Sequence, residues 1–217
     1  MTHKKTTGPG PRPRGRPRAY DADAALAQAM SAFWRFGYSA TSLEQLSDAT
    51  DMNRPSLYAA FGDKRALYLQ TLDSYTERSK QGIARALDPQ LSLAEGLQRF
   101  YDSALAAYLP AGDPARGCYL IGTAVTEALG DEEIRARLAT ALREFERLIE
   151  ARIRKARDAG EIAADADPQA LALIASAVLY TLAIRSRAGE SRTVLRNAAT
   201  TAIDLVCGRA PARKRRG

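Results

Sequence analysis

Between Thr41 and Lys64, apolar residues recur at helical spacing in two short runs separated by a polar corner. Leu43, Leu46 and Ala49 make one side of a helix about two turns long, and Leu57, Ala60 and Phe61 do the same for a second. Thr50-Asp51-Met52 between them has no helical period, and Asp51 tolerates the left-handed backbone that a sharp corner requires. Thr41, with Glu44 three residues on, reads as a capping box that opens the first helix. Asn53 caps the second, and Pro55 falls in its first turn, where a missing amide hydrogen costs nothing. With Leu57, Ala60 and Phe61 turned inward, Arg54, Ser56 and Tyr58 stand at the exposed amino-terminal end of this second helix. Two short helices at such a corner make a helix-turn-helix or an ordinary bend in an all-α domain, and spacing alone leaves both open.

The remaining pattern is helical throughout. Asp21 or Asp23 caps a first helix with Leu26, Met30, Phe33 and Trp34 on one stripe, ended by Gly37. Its stripe braces the corner, with Trp34 read as core. Gly62 closes the second short helix and Asp63 caps a longer one that runs towards Leu87 before Asp88-Pro89. Lys64 sits in the first turn of that helix, where a cation opposes the dipole, so an anion such as phosphate is expected beside it. Residues 92–109 repeat the helical period, Pro110 to Pro114 breaks it, and Ala115 to Leu129 predicts a short helix. Asp131 caps a long amphipathic helix that ends at Gly160. Asp167-Pro168 then starts a helix that is apolar nearly all round, and a last helix spans Val194 to Val206.

These last two helices carry more apolar surface than one side of contact can cover, which predicts a homodimer held by residues 168–186 and 191–207. Leu171, Ile174, Val178, Leu179 and Leu182 are the candidate contacts on the first of them. Leu195, Ala199, Ala202, Ile203 and Val206 are the candidates on the second. The longest charge-free apolar run, Ala170 to Ile184, is shorter than the roughly 20 residues a membrane crossing needs, so no membrane partner is expected.

Charge changes the picture at the two ends. The net charge of +7 comes from tails that hold 11 of the 32 basic residues and no acid, leaving the stretch between them at −4. Residues 1–18, rich in Pro, Gly and Arg, read as a flexible arm, and 209–217 as a basic tail. Arg16 and Arg18 suit a narrow minor groove, or simply water. Two cysteines are too few for a disulfide framework, and the amino terminus lacks the apolar stretch of a signal peptide, so a cytoplasmic protein is expected.

Enzyme chemistry has little to stand on. There is no phosphate-binding glycine loop and no spaced metal-ligand set, and His3, in the arm, is the only histidine. No catalytic residue, metal or cofactor is expected. Tails alone would also suit an adaptor that binds RNA or a membrane surface without sequence preference. A candidate ligand space lies among the small residues of 115–129: Phe100, Tyr101, Ala104 and Tyr108 on one side, Cys118, Ile121 and Val125 on the other. It suits a mostly apolar small molecule, although small residues equally serve close helix packing. Cys118 reads either as packing or as a reactive thiol.

Phe33, Gly37-Tyr38, Thr41-Ser42, Leu46, Ser56-Leu57-Tyr58, Phe61, Lys64 and Ala66-Leu67 agree in order and spacing with one family. Over residues 19–79 the chain resembles the amino-terminal domain of TetR-type transcriptional regulators, departing at Asp51, where glycine is usual. The resemblance implies an all-α protein. A three-helix DNA-binding domain, with its helix-turn-helix at about 42–61, precedes a helical effector-binding and dimerisation domain over 80–208. It implies double-stranded DNA with a palindromic operator as partner, contacted through Thr41, Ser42, Asn53, Arg54, Pro55, Ser56, Tyr58 and Lys64. It further implies a dimer through the last two helices and repression relieved by a small-molecule effector.

Overall fold

The computed structural model describes residues 21–112 and 114–209, so Arg16, Arg18, the rest of the arm and residues 210–217 lie outside the described residues. Helix α1 (Ala22–Phe36) starts where the Asp21 carboxylate accepts from the Asp23 and Ala24 amides at 3.0 and 3.2 Å. It stops at Gly37, whose φ of +83° is one that an L side chain strains to adopt. Helix α2 (Leu43–Thr50) corrects the expected cap by one residue. Ser42 caps it and Gln45, not Glu44, closes the box, at 3.1 and 2.8 Å. Thr41 instead turns inward, is 1% exposed, and donates its hydroxyl to the Gly37 carbonyl.

The corner follows the expected path, with Asp51 left-handed at φ 52° and ψ 31°. Helix α3 (Arg54–Phe61) begins with the Asn53 side chain accepting from the Ser56 amide at 2.9 Å. Asn53→Ala removes that acceptor and is expected to lower stability by about 1 kcal/mol. The change should show as a lower urea midpoint at unchanged slope.

Helix α4 (Lys64–Ala86) is the shared member, packed on α1 and α3 at its start and on α5 (Leu93–Tyr108) and α7 (Glu132–Asp158) beyond. Between α5 and α7 the expected helix of 115–129 is shorter than the pattern suggested. A π-helical turn, Leu120–Ala124, runs into Val125–Glu127, and we call the two α6. Thr123 donates its hydroxyl to the Tyr119 carbonyl at 2.8 Å, a side-chain bond that competes with the ordinary ladder and widens the turn. Ahead of it, Gly117 lies so close to α8 that a Cβ would come within 2.7 Å of the Ala183 carbonyl, and its φ is +64°. The small residues here serve close packing.

Helices α8 (Pro168–Arg187) and α9 (Arg192–Val206) complete the fold, packed on each other and on α5, with α7 also against α8. Most of the residues expected at an interface between subunits lie within this one. Leu179, Leu182, Leu195, Ala199, Ala202, Ile203 and Val206 are all buried inside the subunit, because the regular apolar stripe is the one that meets the core. Leu171 and Val178 are half-buried, and only Ile174 of the ten is exposed. Surplus apolar surface lies on the opposite side, at Leu173, Ile174 and Ile184 of α8 and Val194 and Leu205 of α9. By length and composition α8 also meets the requirements of a membrane span, although 39% of its apolar window is buried against the other helices.

Candidate nucleic-acid interface and effector cavity

The α3 helix divides into two faces. Leu57 and Phe61 are buried, at 4% and 7% exposed, and hold it against the core. Asn53, Arg54, Pro55, Ser56 and Tyr58 are exposed together with Ser42 at the start of α2. Capping thus orients this face twice, since Ser42 and Asn53 both spend their side chains on the backbone while lying beside it. Thr41 does not join them, because its side chain is buried.

Lys64 is more constrained than its sequence position suggests. Its ammonium lies 4.7 Å from the centre of the Tyr38 ring and 3.4 Å from the Ser39 carbonyl oxygen it donates to. Burial lowers its pKa, and the Glu127 carboxylate opposes that shift. The acidic group whose charge acts on this amine is thus one of the chain's own, in α6. Ser39 donates its hydroxyl to Glu127 at 2.7 Å, which ties the loop ahead of α2 to α6.

A second tie is stronger. Arg65 donates Nε and Nη2 to the two oxygens of Asp131 at 2.6 and 2.9 Å, and Nη2 reaches Glu133 at 2.8 Å. Asp131 also caps α7, accepting from the Glu133 and Ile134 amides. The Arg65 guanidinium holds its carboxyl well below the ordinary carboxylate range. A depressed carboxyl contributes stability fully above its unfolded pKa of about 4 and loses it as pH falls towards the folded value. Asp131→Asn keeps a competent cap and loses only the charge. Its deficit in melting temperature against wild type is therefore expected near neutrality and should shrink between about pH 4 and pH 2. A deficit of constant size across that range would assign it to the cap.

An aromatic chain continues from α1 into α4 and α6. Tyr68 lies 5.1 Å from Phe33 and 4.5 Å from Tyr38, and Tyr119 lies 5.5 Å from Trp34 and 5.4 Å from Tyr75. Tyr68 donates to Thr123 at 2.8 Å, and the Thr71 and Tyr119 hydroxyls are bonded at 2.7 Å. Burial pushes both phenols up, so they stay neutral. Trp34 donates its indole N–H to the Arg116 carbonyl at 3.1 Å. The start of α4 is thus fastened to α7 by the Arg65 ion pairs, the loop ahead of α2 to α6 by the Ser39–Glu127 hydrogen bond, and α1 to the rest by stacked rings and this indole bond.

Beside Trp34 opens a cavity of about 470 Å³ between α1, α4, α5, α7 and α8. Of the expected lining, Phe100, Ala104 and Tyr108 are there, whereas Tyr101, Cys118, Ile121 and Val125 are not. Tyr101 is fully buried and donates to the Ala175 carbonyl at 2.9 Å, and Val125 points outward. Cys118 is buried with its sulfur 3.5 Å from the Tyr75 hydroxyl. Burial pushes its pKa up despite that contact, which keeps the thiol protonated and favours packing over reactivity. Trp34, Tyr75, Arg78, Arg116 and Phe145 line the cavity without having been expected. The signal for the α4 members was present, since Tyr75, Arg78, Ser79, Gly82, Ile83 and Ala86 recur at helical spacing along one face. For Trp34 there was none, because nothing in α1 alone shows that the far wall comes from residues some 80 positions away.

Comparison with known proteins completes the description. Residues 25–71 match the profile of bacterial regulatory proteins of the tetR family, and residues 94–202 match that of the tetracyclin repressor-like C-terminal domain. The HTH-type transcriptional repressor ComR of Escherichia coli (strain K12) is 31% identical over 186 residues, covering 86% of this chain and 89% of that protein. Among solved structures, a cysteine-substituted form of the TetR-family regulator CifR, in complex with 26-base-pair double-strand operator DNA, is 34% identical. Its TM-score is 0.78, with 87% of this chain and 98% of that one covered. Reduced NemR of E. coli shares the fold alone, at 16% identity and a TM-score of 0.75 over 88% of this chain and 97% of that one.

Proposed function

The chain belongs to the tetR family of bacterial regulatory proteins, and from that premise we propose how its residues carry out transcriptional repression. It is a DNA-binding regulator that acts as a homodimer on double-stranded operator DNA. One observation supports the placement of the reading head above all: α3 buries Leu57 and Phe61 while its amino-terminal end exposes Arg54, Ser56 and Tyr58. That is the end a recognition helix turns to base edges in the major groove. Ser42, Asn53 and Pro55 stand beside it and suit phosphate and sugar contacts.

The domains divide at about residue 79, with α1 to α3 and the start of α4 as the reading head and 80–208 as the effector-binding and dimerisation part. Two heads of one dimer enter successive major grooves of a palindromic site, one helical turn apart, in the cytoplasm. The chain is a regulator and not an enzyme. An effector in the cavity beside Trp34 bears directly on α1 and so on the angle and spacing of the heads. Such coupling shifts DNA affinity only by as much as the effector prefers one arrangement over the other.

Lys64→Ala is expected to weaken binding to specific and scrambled duplexes alike, since the amine positions the loop ahead of α2 and meets backbone rather than bases. Fluorescence anisotropy with both duplexes at fixed salt reads this directly. The reading as a whole is tested by mapping bound DNA across the genome and titrating the sites found against scrambled duplexes. Equal affinity for both would favour a polyanion-binding adaptor instead.

A further inference from the structure

Tyr119, Thr123 and Glu127 follow one another at intervals of four residues, and each is bonded to a residue of the first 79. Tyr119 shares a hydrogen bond with Thr71, Thr123 accepts from Tyr68, and the Glu127 carboxylate accepts from the Ser39 hydroxyl at 2.7 Å. The first two bonds are buried, so they fix α6 against α4 and hold the carboxylate beside the loop ahead of α2. It meets donors there and not a counter-ion, since among the described residues no Lys or Arg is ion-paired to Glu127. The Lys64 ammonium reaches the same loop at the Ser39 carbonyl oxygen, 3.4 Å away, and lies over the Tyr38 ring. Burial lowers the Lys64 pKa and raises that of Tyr38, and in both the Glu127 charge comes next, raising each. Ser39 is exposed and lies three residues ahead of Ser42, itself exposed at the start of α2. A hydroxyl and an ammonium beside one another are the kind of donors that fix a DNA backbone phosphate.

We infer that Glu127 holds the position of a DNA phosphate at this loop, so that the protein's own carboxylate limits its affinity for every duplex without influencing which sequence it prefers. A phosphate that approaches Ser39 competes with the carboxylate for the hydroxyl, and one that approaches Lys64 meets the repulsion of a like charge. Neither cost depends on the base, because contacts to the DNA backbone carry no direct sequence information. Glu127 thereby makes binding rely more on the base contacts of α3. It is a positioning residue, since it acts through Ser39 and Lys64 and touches no base. This assignment rests on reading α2 and α3 as the DNA-binding face.

Glu127→Gln removes the charge and keeps an amide oxygen able to accept from Ser39. Wild-type and variant full-length proteins are titrated with the operator duplex and with a scrambled one, over a range of salt from about 50 to about 300 mM. The variant is expected to bind both duplexes more tightly, by about threefold for each head and so about tenfold for a dimer, with their ratio unchanged. The gain should shrink as salt rises, because screening weakens the repulsion that the substitution removes. Glu127→Ala should show the same gain. Glu132→Gln takes the same charge from the nearby start of α7, where the side chain is 91% exposed and paired with Arg135, and should change either affinity by less than about twofold. The inference is overturned if neither Glu127 variant binds more tightly than wild type, which would make the Ser39 bond a brace that DNA binding needs. It is equally overturned if Glu132→Gln gains as much, or if the gain appears on the operator alone. A wild-type protein that prefers the operator leaves the regulator reading standing in each of these cases. Equal wild-type affinity for both duplexes would remove the regulator reading itself.

Discussion

Leu173→Glu is expected to turn the dimer into a folded monomer and to lower operator affinity by about a hundredfold or more. The reason lies in the outer side of α8. Ala170, Leu173, Ala177, Thr181 and Ile184 follow one another at intervals of three and four residues, all exposed, with Leu173 and Ile184 at 59% and 57%. Val194 and Leu205 on the neighbouring α9 are exposed as well. A two-fold axis brings the same patch from both chains together, so one substitution introduces two carboxylates. Each loses water without gaining a partner, at a cost of several kcal/mol. A monomer then holds one half-site at a time and forfeits the gain of roughly 10² to 10⁴ that linking two heads supplies. Sedimentation equilibrium at micromolar concentration, beside operator titration, measures both effects. A variant that remains dimeric would place the interface elsewhere. Leu179→Glu is the instructive contrast: that side chain is 5% exposed and walls the cavity, so a charge there damages the subunit before it reaches any partner.

The second large effect concerns base reading. Arg54→Ala is expected to cost roughly 1 to 3 kcal/mol on the true site, and far less on a scrambled one. Arg54 opens α3 from an exposed position, with no carboxylate paired to it among the described residues, so its guanidinium is available for a bidentate contact with guanine. Truncation removes a contact that only the correct base offers, whereas the flanking caps and Lys64 remain. Competition titrations with single-base variants of the operator check this. Equal losses on all duplexes would show that Arg54 holds phosphate.

How far the sequence reaches can be judged at particular residues. Turn chemistry and caps were legible: Asp21, Asn53, Asp63, Asp131 and Asp167 cap helices as their spacing predicts. Asp51 adopts the left-handed corner expected of it even where glycine is usual in the family. The cap of α2 slipped by one residue because Thr41 and Ser42 are chemically equivalent, and burial of Thr41 against Gly37 decides between them. Ser42, Asn53, Arg54, Pro55, Ser56 and Tyr58 emerge together because they are local in the chain.

The cavity was less legible, since it is assembled from five helices and its far wall depends on how α1 meets α4. Tyr101 and Tyr108 share a side of α5, but the Ala175 carbonyl draws the first away from the cavity. Most of the expected interface contacts turn out to be buried within the subunit, for a related reason. Hydrophobic periodicity identifies the side of a helix that is buried most, and in α8 and α9 that side meets the subunit's own core. The exposed side of α8 is more mixed, with Thr181 among its apolar residues, and carries a weaker signal.

The central claim is that two α3 helices of one dimer read a palindrome. Selection of bound duplexes from a random pool by the wild-type protein tests it most directly, with bound stoichiometry measured on the winning sequence. The account predicts enrichment of two inverted half-sites centred one helical turn, about 34 to 36 Å, apart, with an even number of chains bound. It also predicts that Arg54→Ala relaxes the choice at one position in each half-site. A pool that emerges without any consensus, held only by a salt-sensitive attraction to every duplex, would contradict it.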